Sequence, residues 1–301
     1  MAGMASSSLA LSRPISPWLE MGAYECLWTN AHQTFKKIAD LFREREDAVP
    51  SDFILRPIAE GCAKEATELL GQAQIKRFGI RICGTADYPE KLRDAKNPVE
   101  LLYFQGWWDL LSTTCVAVVG TRKPTDTGIA RTEKIVRSLV KDNYTIMSGL
   151  AAGIDTVAHR AAIDHKGRTV AVIGTPLSRV YPLENTALQK QIARDYLLIS
   201  QVPVIRYSRQ DWHSNRGFFP QRNITMSALS AATIIVEASD TSGTLMQAAA
   251  AIQQKRKLFI LDSCFQDSSL TWPTKYQGLG AIRVRDYEDI RKHLADPTPA
   301  N

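Results

Sequence analysis

The chain is short of the patterns that would announce a metal centre, a disulfide framework or a membrane anchor. Its five cysteines, Cys26, Cys62, Cys83, Cys115 and Cys264, are scattered without a CxxC pair. That spacing supports neither a zinc ribbon nor a disulfide scaffold and fits a reducing, cytoplasmic setting. No stretch reaches the roughly 18 uninterrupted apolar residues of a membrane span, so no membrane partner is expected. Histidine is scarce, with five in the chain, and His159 has a nearby carboxylate in Asp155 but no nucleophile at an evident spacing. A helix-packing role suits it better than a catalytic one. No catalytic residue, cofactor or metal site is therefore expected. Internal repeats, coiled-coil heptads and low-complexity blocks are also missing. Acidic residues are in deficit, 31 against 37 Lys and Arg for a net charge of +6, which tilts the partner class towards polyanions.

What is present suits a folded α/β protein: 301 residues, 45% of them hydrophobic, suffice for one large domain and a smaller one. Residues 1–17, rich in Ser and Ala but without the continuous apolar core of a signal peptide, are expected to be a disordered tail. From 18 to 78 the pattern is helical. Phe35, Ile38, Ala39, Leu41 and Phe42 recur at three and four, as do Ile58, Cys62, Ala66 and Leu69. A strand is expected over 79–84 and a turn-rich connection into 99–104. Thereafter strands near 115–120, 144–148, 169–174, 197–201, 232–237, 257–262 and 281–284 alternate with helices, notably 128–141, 154–166, 185–194 and 242–255. Such alternation predicts a doubly wound, mostly parallel Rossmann-like sheet over 79–293, with a small N-terminal helical domain before it and a frayed tail at 294–301.

Function concentrates where the apolar runs stop. Cys115–Val119 ends at Gly120-Thr121-Arg122-Lys123, and Thr145–Met147 ends at Ser148-Gly149, with Gly153 before Ile154-Asp155. Glycine lets backbone N–H groups approach a phosphate, and a following helix N-terminus adds partial positive charge. Gly174-Thr-Pro with Tyr181-Pro182, and Ser239 through Ser242-Gly243-Thr244, should reach the same sheet edge. Ser242 and Thr244 can cap the last helix and offer hydroxyls to an anion. The segment Gly217-Phe218-Phe219-Pro-Gln-Arg222-Asn223 joins two aromatics to a guanidinium fork, with either ring able to stack on a base or to anchor the core. Arg131, Lys134, Arg137 and Lys141 form a basic helix face that reads as solvated surface.

These motifs, in this order, resemble those of the DNA-processing protein A (DprA/Smf) family. They are Gly120-Thr-Arg122, Ser148 to Asp155 with Ala158-His159, Tyr181-Pro182 with Asn185, Phe219-Pro-Gln-Arg-Asn223 and Ser242-Gly-Thr-Leu245. The resemblance covers residues 79–293, with Asp87-Tyr-Pro89 and Leu101 to Gly106 upstream and Gly278 to Ala281 and Tyr287 to Ile290 downstream. It implies an extended Rossmann-like domain that binds single-stranded DNA, helps to load a RecA-type recombinase and self-associates as a homodimer. It also implies that Gly120 to Lys123, Ser148, Gly149, Gly153, Arg222, Asn223 and Ser242 to Thr244 hold phosphate while Phe219 or its neighbour meets a base. The chain departs from the family at Ile224, where an arginine is usual, and at Ser178, Gln201 and Asp262-Ser263.

Two other functions compete. Phosphoribohydrolases and nucleotide sensors share the fold class, but the hydrolases need a glutamate where Gln247 stands, and a neutral amide is no general base. A partner-recruiting scaffold with a vestigial pocket would have no need of Arg122 among its glycines.

Overall fold

The computed structural model describes residues 14–30, 32–45 and 47–295. The tails expected at 1–17 and 294–301 lie outside these except at their inner ends. There, Ser16 caps the first helix and the last helix continues to Ala295. In chain order the N-terminal helices are α1 (Pro17–Thr29), α2 (Phe35–Arg43) and α3 (Arg56–Gln72). Strands β1 (Gly79–Ile82), β2 (Leu101–Gly106) and β3 (Cys115–Val119) follow, then α4 (Asp126–Lys141), β4 (Thr145–Ser148), α5 (Ile154–Asp164), β5 (Thr169–Ile173), α6 (Thr186–Asp195) and β6 (Leu197–Ser200). Three helices come next, α7 (Val204–Arg209), α8 (Trp212–Asn215) and α9 (Phe218–Leu229), before β7 (Ala232–Ile235), α10 (Thr244–Gln253) and β8 (Lys257–Leu261). The chain closes with α11 (Asp262–Gln266), α12 (Trp272–Gly278), β9 (Ile282–Val284) and α13 (Tyr287–Ala295).

One nine-stranded sheet runs in the order β1-β2-β6-β5-β4-β3-β7-β8-β9. All pairings from β6 to β9 are parallel, and β1 and β2 join antiparallel at one edge. Each expected strand is present, shortened by one or two residues where the chain turns into a loop. The central strands are buried throughout and mostly apolar because both faces are covered. Val116 and Val118 pack with α4, α5 and α13, whereas Cys115, Ala117 and Val119 pack with α9 and α10. Strand order reverses between β3 and β7, so the loops leaving these two strands diverge and leave a crevice.

The N-terminal helices share a hydrophobic core with the sheet. Met21, Tyr24 and Trp28 of α1 and Leu70 of α3 join Leu101 and Tyr103 of β2, Ile192 of α6 and Phe218 of α9. The stripe that α3 buries is Ala59, Ala63, Ala66 and Leu70, whereas Ile58 is half exposed. Ala66 is buried as the periodicity predicts, whereas the other three positions are displaced by one residue, because α1 and α3 meet through small side chains and Gly22 lies directly on Ala59 and Ala63. Large apolar residues cannot enter so close a seam. At the same junction the buried Glu25 accepts hydrogen bonds from the backbone N–H groups of Val204, at 2.7 Å, and Ile205, at 2.9 Å, and from the Tyr103 hydroxyl. It thereby fastens α1 to the start of α7, and burial pushes its pKa up to about 6.

Candidate functional site

Val119 is the last residue of β3, and Gly120 needs its lack of a Cβ, since one would meet Ile154 Cγ1 at 2.7 Å and the Glu237 carbonyl oxygen at 2.8 Å. The loop is then clamped from both sides. Thr121 N–H donates to the Glu237 carbonyl at 2.7 Å, Ile154 N–H donates to the Thr121 carbonyl at 3.1 Å, and the Thr244 hydroxyl donates to the Gly120 carbonyl at 3.1 Å. Arg122 and Lys123 project from this anchored turn, exposed and without an ion pair among the described residues. Across the crevice, Ser239 to Thr244 leave β7 and start α10, where Ser242 Oγ accepts from Thr244 N–H at 3.2 Å. No side chain caps α10 at Gly243. Asn223 reaches over from α9 and donates to the Gly243 carbonyl at 3.0 Å.

Between these loops lies a cavity of about 710 Å³ whose walls hold four cationic side chains, Arg122, Lys123, Arg216 and Arg222, and a single carboxylate, Asp155. One side is aromatic. Tyr181 lies 4.9 Å from Trp212 and 5.4 Å from Phe219, ring centre to ring centre, and Trp212 lies 6.1 Å from Phe219. Phe219 rests on Gly174 at the end of β5. Phe218 points the other way, into the core against Phe35 and Trp28. The choice between the two rings left open by the sequence is thus made by the rotation of α9, which turns one residue inward and the next outward.

Ten of the thirteen expected site residues line the cavity: Gly120, Thr121, Arg122, Lys123, Phe219, Arg222, Asn223, Ser242, Gly243 and Thr244. The other three, Ser148, Gly149 and Gly153, lie behind its wall. Ser148 is buried and donates to the Val118 carbonyl at 2.7 Å. The open face of Gly149 is filled by the Arg222 guanidinium. Gly153, at φ +77°, is where the chain passes the backbone of Thr121 and Arg122. These glycines admit neighbouring protein rather than a phosphate.

Two further expectations change. Arg222 is buried, its Nη1 donating to the carbonyls of Gly149 and Val172 and its Nε to Asn223 Oδ1, so much of the guanidinium supports the wall instead of forming an open fork. Burial lowers its pKa, Arg122 nearby adds to that, and Asp155 opposes it. The N-terminus of α4 is filled by the protein's own carboxylate, Glu237, which accepts from Thr125 N–H at 3.1 Å. At α5 the Ile154 N–H is taken by the Thr121 carbonyl, and Asp155 turns back to accept from Gly149 N–H at 3.1 Å and Ala151 N–H at 3.4 Å of the preceding loop. The first residues of α9 and α10 both border the cavity, and at α10 the Thr244 N–H is already taken by Ser242 Oγ, so what α10 offers there is the positive end of its dipole.

His159 is fully buried with Nδ1 2.7 Å from the Thr169 hydroxyl, the packing role expected of it. Burial, with Arg222 adding to it, holds its pKa down at about 3. Gln247 also reaches the cavity wall, its Nε2 donating to the Thr233 hydroxyl at 3.2 Å. Trp212 and Arg216 escaped the sequence reading because they precede the motif that drew attention to Phe219. The signal for them was an aromatic and a cation spaced four apart just upstream.

The fold and cavity define a Rossmann-like domain with a cationic, partly aromatic pocket at its switch point. The chain belongs to the DNA recombination-mediator protein A family, whose model matches residues 80–295. Protein Smf of Synechocystis is 41% identical over 179 residues, 58% of this chain and 44% of that protein. The chain therefore matches less than half of that relative's length. DNA processing protein DprA of Bacillus subtilis is 34% identical over 210 residues, 69% of each chain. The X-ray structure of DNA processing protein A from Streptococcus pneumoniae gives a TM-score of 0.68 at 26% identity, covering 93% of this chain and 98% of that one. The Helicobacter pylori DNA processing protein A, whose structure addresses a single-stranded DNA binding mode, gives 0.61 at 28% identity, covering 72% and 95%.

Proposed function

We propose that this protein binds single-stranded DNA in the switch-point cavity without cleaving it, and that it protects the strand and helps a RecA-type recombinase to load. The carrying observation is that three aromatic rings, Phe219, Trp212 and Tyr181, line one cavity together with the cations Arg122, Lys123 and Arg216. A base on an aromatic and a phosphate on a cation are the two halves of sequence-tolerant strand recognition. The positive end of the α10 dipole complements the phosphate. Paired bases hide their faces, so duplex DNA fits less well. The single-stranded DNA binding described for the Helicobacter pylori protein supports the reading. Self-association as a homodimer, implied by the family resemblance, belongs to the same proposal.

The test is fluorescence anisotropy of a labelled oligo-dT and its duplex counterpart at two salt concentrations, with wild type beside Arg122→Ala. Salt-sensitive binding that prefers the single strand and weakens on substitution is expected. Absence of binding to either form overturns the proposal and leaves a small nucleotide as ligand. A hydrolase is disfavoured because Gln247 is an amide, and Asp155, the carboxylate of the wall, is occupied by two backbone N–H groups.

A further inference from the structure

A second cavity, of about 290 Å³, opens where the C-terminal end of α3 meets α7 and the loop that follows β5. That loop is common to both cavities. It starts beneath Phe219 at Gly174 and brings Tyr181 to the first cavity, while its middle, with Ser178 and Arg179, walls the second. The Cα atoms of Arg179 and Tyr181, two residues apart, are separated by at most about 7 Å. A stretched sugar-phosphate unit bridges such a gap. The second cavity is amphipathic: Leu69 and the Tyr207 ring supply apolar surface, Gln72 supplies an amide, and Arg179 supplies a charge with no Asp or Glu among the lining residues. Arg179 forms no ion pair among the described residues, whereas its backbone is held, its carbonyl accepting from the Thr175 hydroxyl at 3.1 Å and Gln189 Nε2 at 3.3 Å. Tyr207 is likewise steadied, its ring 6.1 Å from that of Phe218 and its carbonyl accepting from Asn215 Nδ2 at 3.0 Å.

We infer that this seam is a second nucleotide subsite, in which the strand leaving the first cavity past Tyr181 lays its next phosphate on Arg179 and its base against Tyr207. The inference rests on the single-stranded DNA reading and deepens it. It gives the N-terminal helices a share in binding, since α3 forms one wall, and it sets the direction in which the strand departs. A cation fixed on a held backbone, an aromatic ring and an absence of carboxylates are the chemistry that takes a nucleotide.

Photocross-linking with oligo-dT carrying a single 5-iodouracil at successive positions tests it. The expected result is that one position cross-links to Tyr207 while a neighbouring position cross-links to Phe219, Trp212 or Tyr181. Arg179→Gln, a change at an exposed side chain that leaves the core intact, should weaken a long oligonucleotide about fivefold. It should also flatten the slope of log affinity against log salt by about 0.7, the share of one phosphate on a single strand. Cross-links confined to the first cavity, together with an unchanged slope for Arg179→Gln, overturn the second subsite while leaving the first intact. Absence of any salt-sensitive binding overturns both readings.

Discussion

Phe218 and Phe219 are adjacent in sequence yet belong to different functions, and substitution separates them. Phe219→Ala should cost about 1–3 kcal/mol of oligo-dT affinity, the worth of one stacked base, with little change in melting temperature. Phe218→Ala empties a site between Phe35, Trp28 and Tyr207 and should cost about 3–5 kcal/mol of stability. Anisotropy and thermal melting on both variants check the pair, and equal effects on binding would refute the assignment. Arg222→Met should lower stability by about 3 kcal/mol or more, because the buried carbonyls of Gly149 and Val172 would lose their donor. Gly153→Ala belongs with it: a side chain at φ +77° would press on Thr121 and Arg122, so loss of folding should precede loss of affinity.

At the scale of elements, the fastening of α1 to α7 through Glu25 is titratable. Its carboxyl pKa rises from 4.5 to about 6 on folding, chiefly through burial, with the hydrogen bonds from Tyr103, Val204 and Ile205 opposing the rise. A raised value means that the folded protein holds the proton more tightly than the unfolded chain. Its stabilising contribution is therefore complete below pH 4.5 and is lost as pH climbs through 6, by roughly 2 kcal/mol. Urea denaturation at pH 4.5 and pH 7 should show this component in wild type and lack it in Glu25→Gln. That variant should be weaker at both pH values, since its amide NH₂ would face a backbone N–H that a carboxylate oxygen now accepts.

For the whole molecule, binding should be sequence-tolerant and governed by ionic strength. If Arg122, Lys123 and Arg216 each meet a phosphate, log affinity should fall against log salt with a slope near about −2 for an oligonucleotide that fills only the first cavity. A slope near zero would assign the cavity to an uncharged ligand. A panel of nucleoside monophosphates should yield no free nucleobase, as read by chromatography, because no carboxylate stands at Gln247.

How far these features were legible varies with their physical origin. The sheet was readable because buried parallel strands are apolar on both faces and stop at glycine, which is how Gly120 and the 239–244 loop were found. Their convergence followed from the order of strands. Three of the four α3 positions, all but Ala66, lie one residue off the buried stripe because alanine carries little hydrophobic contrast, so close helix packing leaves a weak periodic signal. Ser148, Gly149 and Gly153 were assigned to the ligand because glycine permits any close approach and sequence does not name the visitor. Arg222, the N-terminus of α4 and the loop amides before α5 show the same limit: Val172, Glu237 and Asp155 are the partners that occupy them. The amino-acid sequence by itself thus determined the strand-helix alternation, the loops at the switch point and the cations they carry, since these depend on local periodicity and residue type. Tertiary structure alone decided which glycines face the cavity, which phenylalanine faces outward and that Glu237 closes the α4 N-terminus, because those depend on what long-range packing brings to each surface.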